Sequence, residues 1–386
     1  MKILFVADGR SPTAVNWMRH FVENGHEVHL ASLYACTPDL ELSSLHDLPF
    51  LLGGAENSSD STRTKILRKL LLPAVRTRIR QQLIPSRLQQ SADSLKNIIA
   101  KIKPDIVHAL RIPFEGMTAA LSDPQCPLLI SVWGNDFTLH AVSNSRMGDL
   151  TKRAVMRTDA LLADCQRDIR LAKEWGLSPE KPTIVLPGGG GINSKLFYPP
   201  ANFTARQPIV INPRGLRSYV RNDVFFAAIP KVLEQNPNVR FVCPVMQGEA
   251  QPEKWVRQYS IEANVGLLPR QNPQQMAELY RSAVVAVSPS EHDGTPNTLL
   301  EAMACGCFPV AGDIESVREW ITDGDNGLLV DPSDPNALAQ AILAGLNHKE
   351  LRDKAVENNL ELIRKRAEHN AVMKKAEAFY SDLLKK

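Results

Sequence analysis

"ILFVADGRSPTAVNWMRHFVENGHEVHLAS", residues 3–32, decides the fold. Residues 3–7 are a short apolar run that suits a strand buried on both faces, and "DGRSP" after them is loop chemistry. In "TAVNWMRHFVENGH" the apolar residues fall at 14, 15, 17, 18, 21 and 22, an amphipathic helix closed by Asn24 and Gly25. "EVHLAS" is then the next parallel strand. The same beat returns at 105–110, 128–133 and 160–165, so strands alternating with helices predict a doubly wound parallel sheet. Ligands of such sheets sit beyond the carboxyl ends of the strands.

"LPGGGGINSKLFYPP" (186–200) interrupts the pattern with four glycines and two prolines and reads as a linker or hinge. Beyond it the beat restarts, with strands expected at 208–215, 239–245, 264–269, 284–290 and 308–312 and helices near 223–235, 252–260, 273–282 and from about 297. The expectation is therefore α/β, with two Rossmann-like domains facing across a cleft. Their bounds are 1–190 and 200–365, and the helical end, 368–386, packs back on the first. The chain of 386 residues, 44% apolar, is long enough for two such cores.

Composition excludes several classes. A net charge of +3 argues against general nucleic-acid binding. Six cysteines without a CxxC or a Cys/His cluster predict neither a disulfide framework nor a zinc site. The apolar run at the N-terminus is too short for a signal peptide, and no stretch is long enough to span a bilayer, so a cytoplasmic protein is expected. Charge is uneven, however. Between Asp60 and Asp93 stand Arg63, Lys65, Arg68, Lys69, Arg76, Arg78, Arg80 and Arg87 with no acidic residue, +8 against −5 for the remainder. Leu67, Leu71, Val75, Ile79 and Leu83 recur among them, interrupted at Pro73. Residues 61–90 fit either an anionic membrane surface or a helix on the core with a solvated basic face.

The chemistry concentrates in "SPSEHDGTPNTLLEAMACG" (288–306). A strand ends near Pro289, and a helix opens at Pro296 or Asn297, with Thr295 or Asn297 able to cap it. Free N–H groups at a helix start, with the dipole behind them, form a seat for phosphate oxygens. Gly294 leaves that approach open. Glu301, about 6 Å up the axis from Asn297, can accept from a diol such as a ribose, and Asp293 stands at the opposite end. Alternatively, both acids are ordinary solvated residues.

The stretch from "DGTPNTLLEAMACGCFPVAG" onward resembles glycosyltransferase family 4, retaining enzymes of the GT-B architecture marked by two acidic residues with seven between them. Asp293 and Glu301 have that spacing, although the family usually has Glu at the first position. The resemblance implies a retaining transfer of sugar from a nucleotide-diphosphate sugar to a hydroxyl acceptor, lipid-linked or glycan, without a metal or other cofactor. It implies that Arg214 grips the diphosphate and that Arg221 or Arg217 replaces an absent lysine. Gly294, Thr295 and Pro296 then stand at the sugar, Asn297, Thr298 and Leu299 near the phosphates, Glu301 at the ribose, and 266–270 at the base. On the acceptor side it points to Gly9 and Arg10, with His108 and Asp136 as further candidate catalytic residues beside Asp293 and Arg214. The loop at Gly9 lacks GxGxxG, which weakens a dinucleotide site. A nucleotide-sugar epimerase and a non-catalytic two-lobed sugar-binding protein are the alternatives.

Overall fold

The computed structural model describes residues 1–48, 73–201 and 207–385; of 73–86 it describes the backbone alone. The chain divides into two compact units, one of 1–164, 168–185 and 376–386, the other of 165–167 and 186–375. Residues 61–72 of the basic segment lie outside the described residues. From Pro73 to Ile102 the backbone is helical.

The first unit is built on β1 (Lys2–Val6), β2 (Glu27–Ser32), β3 (Ser44–Asp47), β4 (Ile106–Ala109), β5 (Leu128–Val132), β6 (Ala160–Ala163) and β7 (Thr183–Val185). They form one sheet in the order β3-β2-β1-β4-β5-β6-β7. Every pairing is parallel, with Ile3 opposite Val28 on one side and Ile106 on the other. The helices are α1 (Pro12–Glu23), α2 (Pro73–Ile102), α3 (Met117–Ser122), α4 (Ser145–Arg157) and α5 (Gln166–Glu174). Strands β1, β4, β5 and β6 are apolar nearly throughout because helices cover both sheet faces. At α1 the Ser11 hydroxyl accepts from the Ala14 amide and Pro12 takes the first turn, so the loop "DGRSP" ends in a defined cap.

The second unit repeats the plan with β8 (Ile209–Ile211), β9 (Arg240–Cys243), β10 (Val265–Leu267), β11 (Val285–Ser288), β12 (Phe308–Gly312) and β13 (Leu328–Val330), ordered β10-β9-β8-β11-β12-β13 and all parallel. Its helices are α6 (Asn222–Gln235), α7 (Ala250–Gln258), α8 (Pro273–Ser282), α9 (Asn297–Ala304), α10 (Pro335–Asn347), α11 (Lys349–Arg366) and, up to residue 375, α12 (His369–Leu383). One core packs α6 and α10 around Phe225, Phe226, Phe241 and Phe308; another packs α8 and α9 around Tyr280, Leu299, Leu300 and Met303. The topological switch falls between β8 and β11, and the loops leaving their carboxyl ends carry Arg214 and Asp293.

The glycine run at 188–191 is more tightly packed than a hinge. A Cβ on Gly191 would lie 2.3 Å from the Ala367 carbonyl, and one on Gly190 2.5 Å from Met373 Sδ. Ile192 hydrogen-bonds Ala367 and His369 through its backbone, so these glycines permit close approach rather than looseness. Among the described residues no helix is long and apolar enough to cross a membrane.

Candidate functional site

In the second unit the turn after β8 is fixed by a buried amide pair. Asn212 Nδ2 donates to Asn222 Oδ1 at 2.9 Å, Asn222 Nδ2 to the Gly215 carbonyl at 2.9 Å, and the Arg214 amide to Asn212 Oδ1 at 3.3 Å. Gly215 turns the chain at φ +65°, a conformation that strains a side-chain-bearing residue. Arg214 is thereby carried to Asp293, with Nη2 2.9 Å from Oδ2 and both side chains about nine-tenths buried (11% and 10% exposed).

Asp293 is anchored at its backbone as well. Its carbonyl accepts from Ser316 Oγ and from Arg167 Nη1, each at 2.7 Å. Oδ1 accepts the Gly294 amide at 3.1 Å. Oδ2 has the ion pair, but the contact is not aligned as a hydrogen bond, so this oxygen keeps lone-pair capacity for another donor. Burial pushes the carboxyl's pKa up, while Arg214, then the Gly294 amide, Arg167 and Arg217, pull it part of the way back. Gly312 brings the neighbouring backbone close, since a Cβ there would stand 2.3 Å from the Ser290 carbonyl.

α9 begins without a side-chain cap; its N-cap is Pro296, and neither Thr295 nor Asn297 fills that role. Thr295 instead accepts Trp320 Nε1 at 3.1 Å. The Leu299 and Leu300 amides both donate to the Pro296 carbonyl. Leu299 is thus no phosphate donor, and its side chain is 1% exposed in the core. The Asn297 and Thr298 amides have no acceptor among the described residues, and Asn297 Oδ1 and Thr298 Oγ1 are buried without a partner. The two open amides and the Thr298 hydroxyl at this helix start can donate, which makes it a ready seat for an oxyanion.

Glu301 lies one turn further along α9. Its Oε2 accepts the hydroxyl of fully buried Tyr280 at 3.3 Å. The side chain keeps an exposed edge while its carboxyl is surrounded by protein, and desolvation raises its pKa to about 7. No cation pairs with it among the described residues, unlike Asp293.

Of the two candidates for the missing lysine, Arg221 is engaged by Asp223 through two contacts of 3.0 and 2.9 Å and stands 3.5 Å from Glu291. Arg217 is exposed, bonds the Tyr219 hydroxyl at 3.0 Å and has no carboxylate partner among the described residues. At 266–270 the Leu268 carbonyl accepts the amides of Met246 and Gln247 and the Pro269 carbonyl that of Val245, so that stretch is partly committed to the unit's own backbone.

In the first unit, His108 is fully buried. Trp17 Nε1 donates to Tyr380 Oη at 3.1 Å, and that hydroxyl bonds His108 Nδ1, while Nε2 lies 2.8 Å from Ser131 Oγ. The indole N–H makes the phenol an acceptor there, so the phenol donates to Nδ1 and the proton of the imidazole is on Nε2. Burial lowers the pKa of His108 to about 3. The expectation that it faces acceptor or sugar is corrected: it is a neutral core residue that ties residues 376–386 to β4.

Asp136, 1% exposed, is likewise committed. Oδ1 accepts Arg111 Nη2 at 2.9 Å, and Oδ2 accepts the amides of Ile112 at 3.0 Å and Trp133 at 3.1 Å. It latches the loop after β4 to the loop after β5. Arg10 pairs with Asp8 at 2.9 Å and stacks on Tyr34 with its guanidinium carbon 4.0 Å from the ring centre; Gly9 permits close approach, since a Cβ would meet Cys36 Sγ at 2.4 Å. Sequence reasoning missed Asn212, Asn222, Tyr280 and Trp320, which support the site from neighbouring segments. It also missed Glu115, 4% exposed on the irregular turn between β4 and α3, with a pKa raised to about 7 by burial. Asp164, Cys165 and Asp168 bring two carboxylates and a thiol within 4.8 Å of one another, all from one local turn.

Residues 198–361 match the family described as glycosyl transferases group 1, and residues 57–165 match glycosyl transferase 4-like. An uncharacterized glycosyltransferase of Methanocaldococcus jannaschii is 30% identical over 72% of this chain and 76% of its own length. A D-inositol 3-phosphate glycosyltransferase of Geodermatophilus obscurus is 27% identical over 52% of this chain and 48% of its own. The chain spans about half the length of the first curated relatives it matches. Sucrose-phosphate synthase from Thermosynechococcus elongatus superimposes with TM-score 0.78 at 18% identity over 99% of both chains. Anabaena HepE in complex with UDP and glucose superimposes at 0.73 and 14%, over 99% of this chain and 100% of that one. The fold is GT-B, with two Rossmann-like parallel-sheet domains, and the chain belongs to the group 1 glycosyl transferases.

Proposed function

We propose that the protein is a retaining glycosyltransferase that uses a nucleotide-diphosphate sugar and a hydroxyl acceptor. The observation that carries this reading is the start of α9: two amides and two side-chain oxygens without partners, with the Arg214–Asp293 pair before them and Glu301 after. In this reading the Asn297 and Thr298 amides and Arg214 hold the diphosphate. Arg217 is better placed than Arg221 to add a second cation. Asp293 Oδ2 accepts a sugar hydroxyl, and Glu301 holds the ribose diol.

The barrier falls because charge developing on the leaving diphosphate meets donors already in position. In this reading Asp293 is engaged by Arg214 and a sugar hydroxyl and is not a nucleophile, so the leaving phosphate oxygen takes the acceptor proton as the new glycosidic bond forms on the face it vacates. No metal is needed where Arg214 and the helix start supply the positive potential. Support for a nucleotide-sugar donor comes from HepE, solved with UDP-glucose. A lipid-linked or glycan acceptor at the inner face of the membrane is supported by the eight cations of 61–90. Flotation with anionic liposomes at low salt tests that part, and failure to float refutes it.

The decisive experiment is a thermal-shift panel of uridine, guanosine and adenosine diphosphate sugars, followed by mass detection of products with and without added acceptor. Stabilisation by one donor and transfer to acceptor are expected. Isomerised donor without acceptor indicates the epimerase, stabilisation without turnover the binding protein, and no stabilisation removes the nucleotide seat.

A further inference from the structure

Glu115 and Thr118 place two unmatched polar oxygens in the first unit. Glu115 Oε2 and Thr118 Oγ1 are both buried without a hydrogen bond, in residues 4% and 0% exposed. They lie three residues apart, where the irregular turn Ile112–Gly116 runs into α3, and so share one side of that junction. The turn follows β4 at the carboxyl edge of the sheet, the edge where such folds take ligands.

Charged groups from several loops act on this turn. Arg111, Asp136 and Asp8 are the charges that act on Glu115, and Glu115, Asp8, Arg10 and Arg111 those that act on Tyr34. The loops after β1, β2, β4 and β5 therefore converge on one carboxyl group. Arg111 and Asp136 are committed to each other, and Arg10 to Asp8. Glu115 keeps unspent hydrogen-bonding capacity at Oε2. A buried carboxyl retained for packing alone would be expected to find a partner, because an unmatched oxygen costs stability.

We propose that Glu115, assisted by Thr118, binds a hydroxyl group of a polyhydroxylated acceptor, which makes this turn an acceptor-reading element. The inference rests on the glycosyl-transfer reading above and extends it to the first unit. Near neutral pH a buried carboxyl of this kind can donate as well as accept, which suits a hydroxyl ligand and disfavours an anion beside Asp8 and Asp136.

The test uses glycerol as the probe, because it competes with water for the sugar of whichever donor the full-length protein turns over. The ratio of glyceryl glycoside to free sugar is read by mass spectrometry for the wild type, Glu115→Met and Thr118→Val. Stabilisation by nucleoside diphosphate is measured alongside as a property of the second unit. Expected is a wild-type ratio above that of the two solvents' hydroxyl concentrations, reduced at least about tenfold in Glu115→Met, which can neither donate nor accept, the scale of one lost buried hydrogen bond. A smaller reduction is expected in Thr118→Val, with nucleotide stabilisation retained in both. An unchanged ratio in Glu115→Met, or a wild-type ratio no higher than the solvent composition, overturns the inference. Absence of nucleotide stabilisation in the wild type overturns the transfer reading itself, and this one with it.

Discussion

Replacing Arg214 by alanine removes the counterion of a carboxylate that is 7% exposed and has one other close hydrogen bond, to the Gly294 amide. Breaking a buried pair from one side costs about 3 kcal/mol. That cost falls on the charged form of the carboxyl, so the folded pKa of Asp293 rises further. The sign follows from linkage. A folded pKa above the unfolded one, about 3.9, leaves the native state holding more protons, so stability falls as pH rises between the two values and is constant above the higher. Arg214→Ala is therefore closest to wild type in acid and carries its full deficit by pH 8. That deficit corresponds to a melting temperature lower by about 6–12 °C for a unit of this size. Urea denaturation of both proteins at pH 5 and pH 8 measures the difference, and Arg214→Ala/Asp293→Asn is the control, since an amide needs no counterion. The double variant should regain most of the stability and none of the transfer, which falls about 10²–10³-fold in either protein if Arg214 stabilises the leaving diphosphate. A deficit equal at the two pH values, or one the double variant fails to relieve, refutes the reasoning.

Other outcomes follow from the same geometry. Glu301, raised to about 7, lowers stability as pH climbs from about 4.3 to 7; Glu301→Gln should flatten that slope and gain about 1–3 kcal/mol at pH 8 while losing donor binding, both readable by denaturation and thermal shift. His108, lowered to about 3, should show no imidazole titration by NMR between pH 8 and pH 5. Tyr380→Phe leaves the Trp17 indole and the His108 imidazole without their shared partner and should cost about 2–3 kcal/mol without altering nucleotide stabilisation. Gly312→Ala forces a methyl group toward the Ser290 carbonyl and should weaken donor binding by displacing the loop that carries Asp293, measured as a higher donor Kd.

Ten of the thirteen strands among the described residues were legible because each was a short apolar run beside helical periodicity, the pattern that burial on two faces demands. The missed strands, β3, β7 and β13, are the outer strands Ser44–Asp47, Thr183–Val185 and Leu328–Val330. Of these edge strands, Ser44–Asp47 and Thr183–Val185 carry polar residues, and Leu328–Val330, though apolar, is a run of only three. The acidic spacing and Arg214 could be read because they sit within one motif or beside a strand. Asn212, Asn222, Tyr280 and Glu115 could not, because their roles come from contacts between segments far apart in sequence. His108 shows the converse: a polar residue ending a strand looks exposed on paper, yet a phenol supplied by residue 380, 272 positions later, makes it a core residue.

The two acids of the motif differ in a way their spacing does not reveal. Asp293 is short, and Arg214 reaches it from the neighbouring strand's loop, so a cation opposes the burial that raises its pKa. Glu301 is longer and has a phenol for a neighbour in place of a cation, so desolvation holds it near neutrality. Under the proposed function these are different tasks. A paired carboxylate with a spare lone pair accepts from a sugar hydroxyl while Arg214 turns its remaining N–H groups to phosphate; a carboxyl poised between protonation states can both accept from and donate to a diol. Exchanging the environments should therefore be worse than exchanging the side chains: Tyr280→Phe, which deprives Glu301 of its donor, should weaken nucleoside diphosphate binding more than Asp293→Glu does. Equal or reversed effects in a titration of the two variants with the same nucleotide would show that length, and not charge environment, separates the two acids.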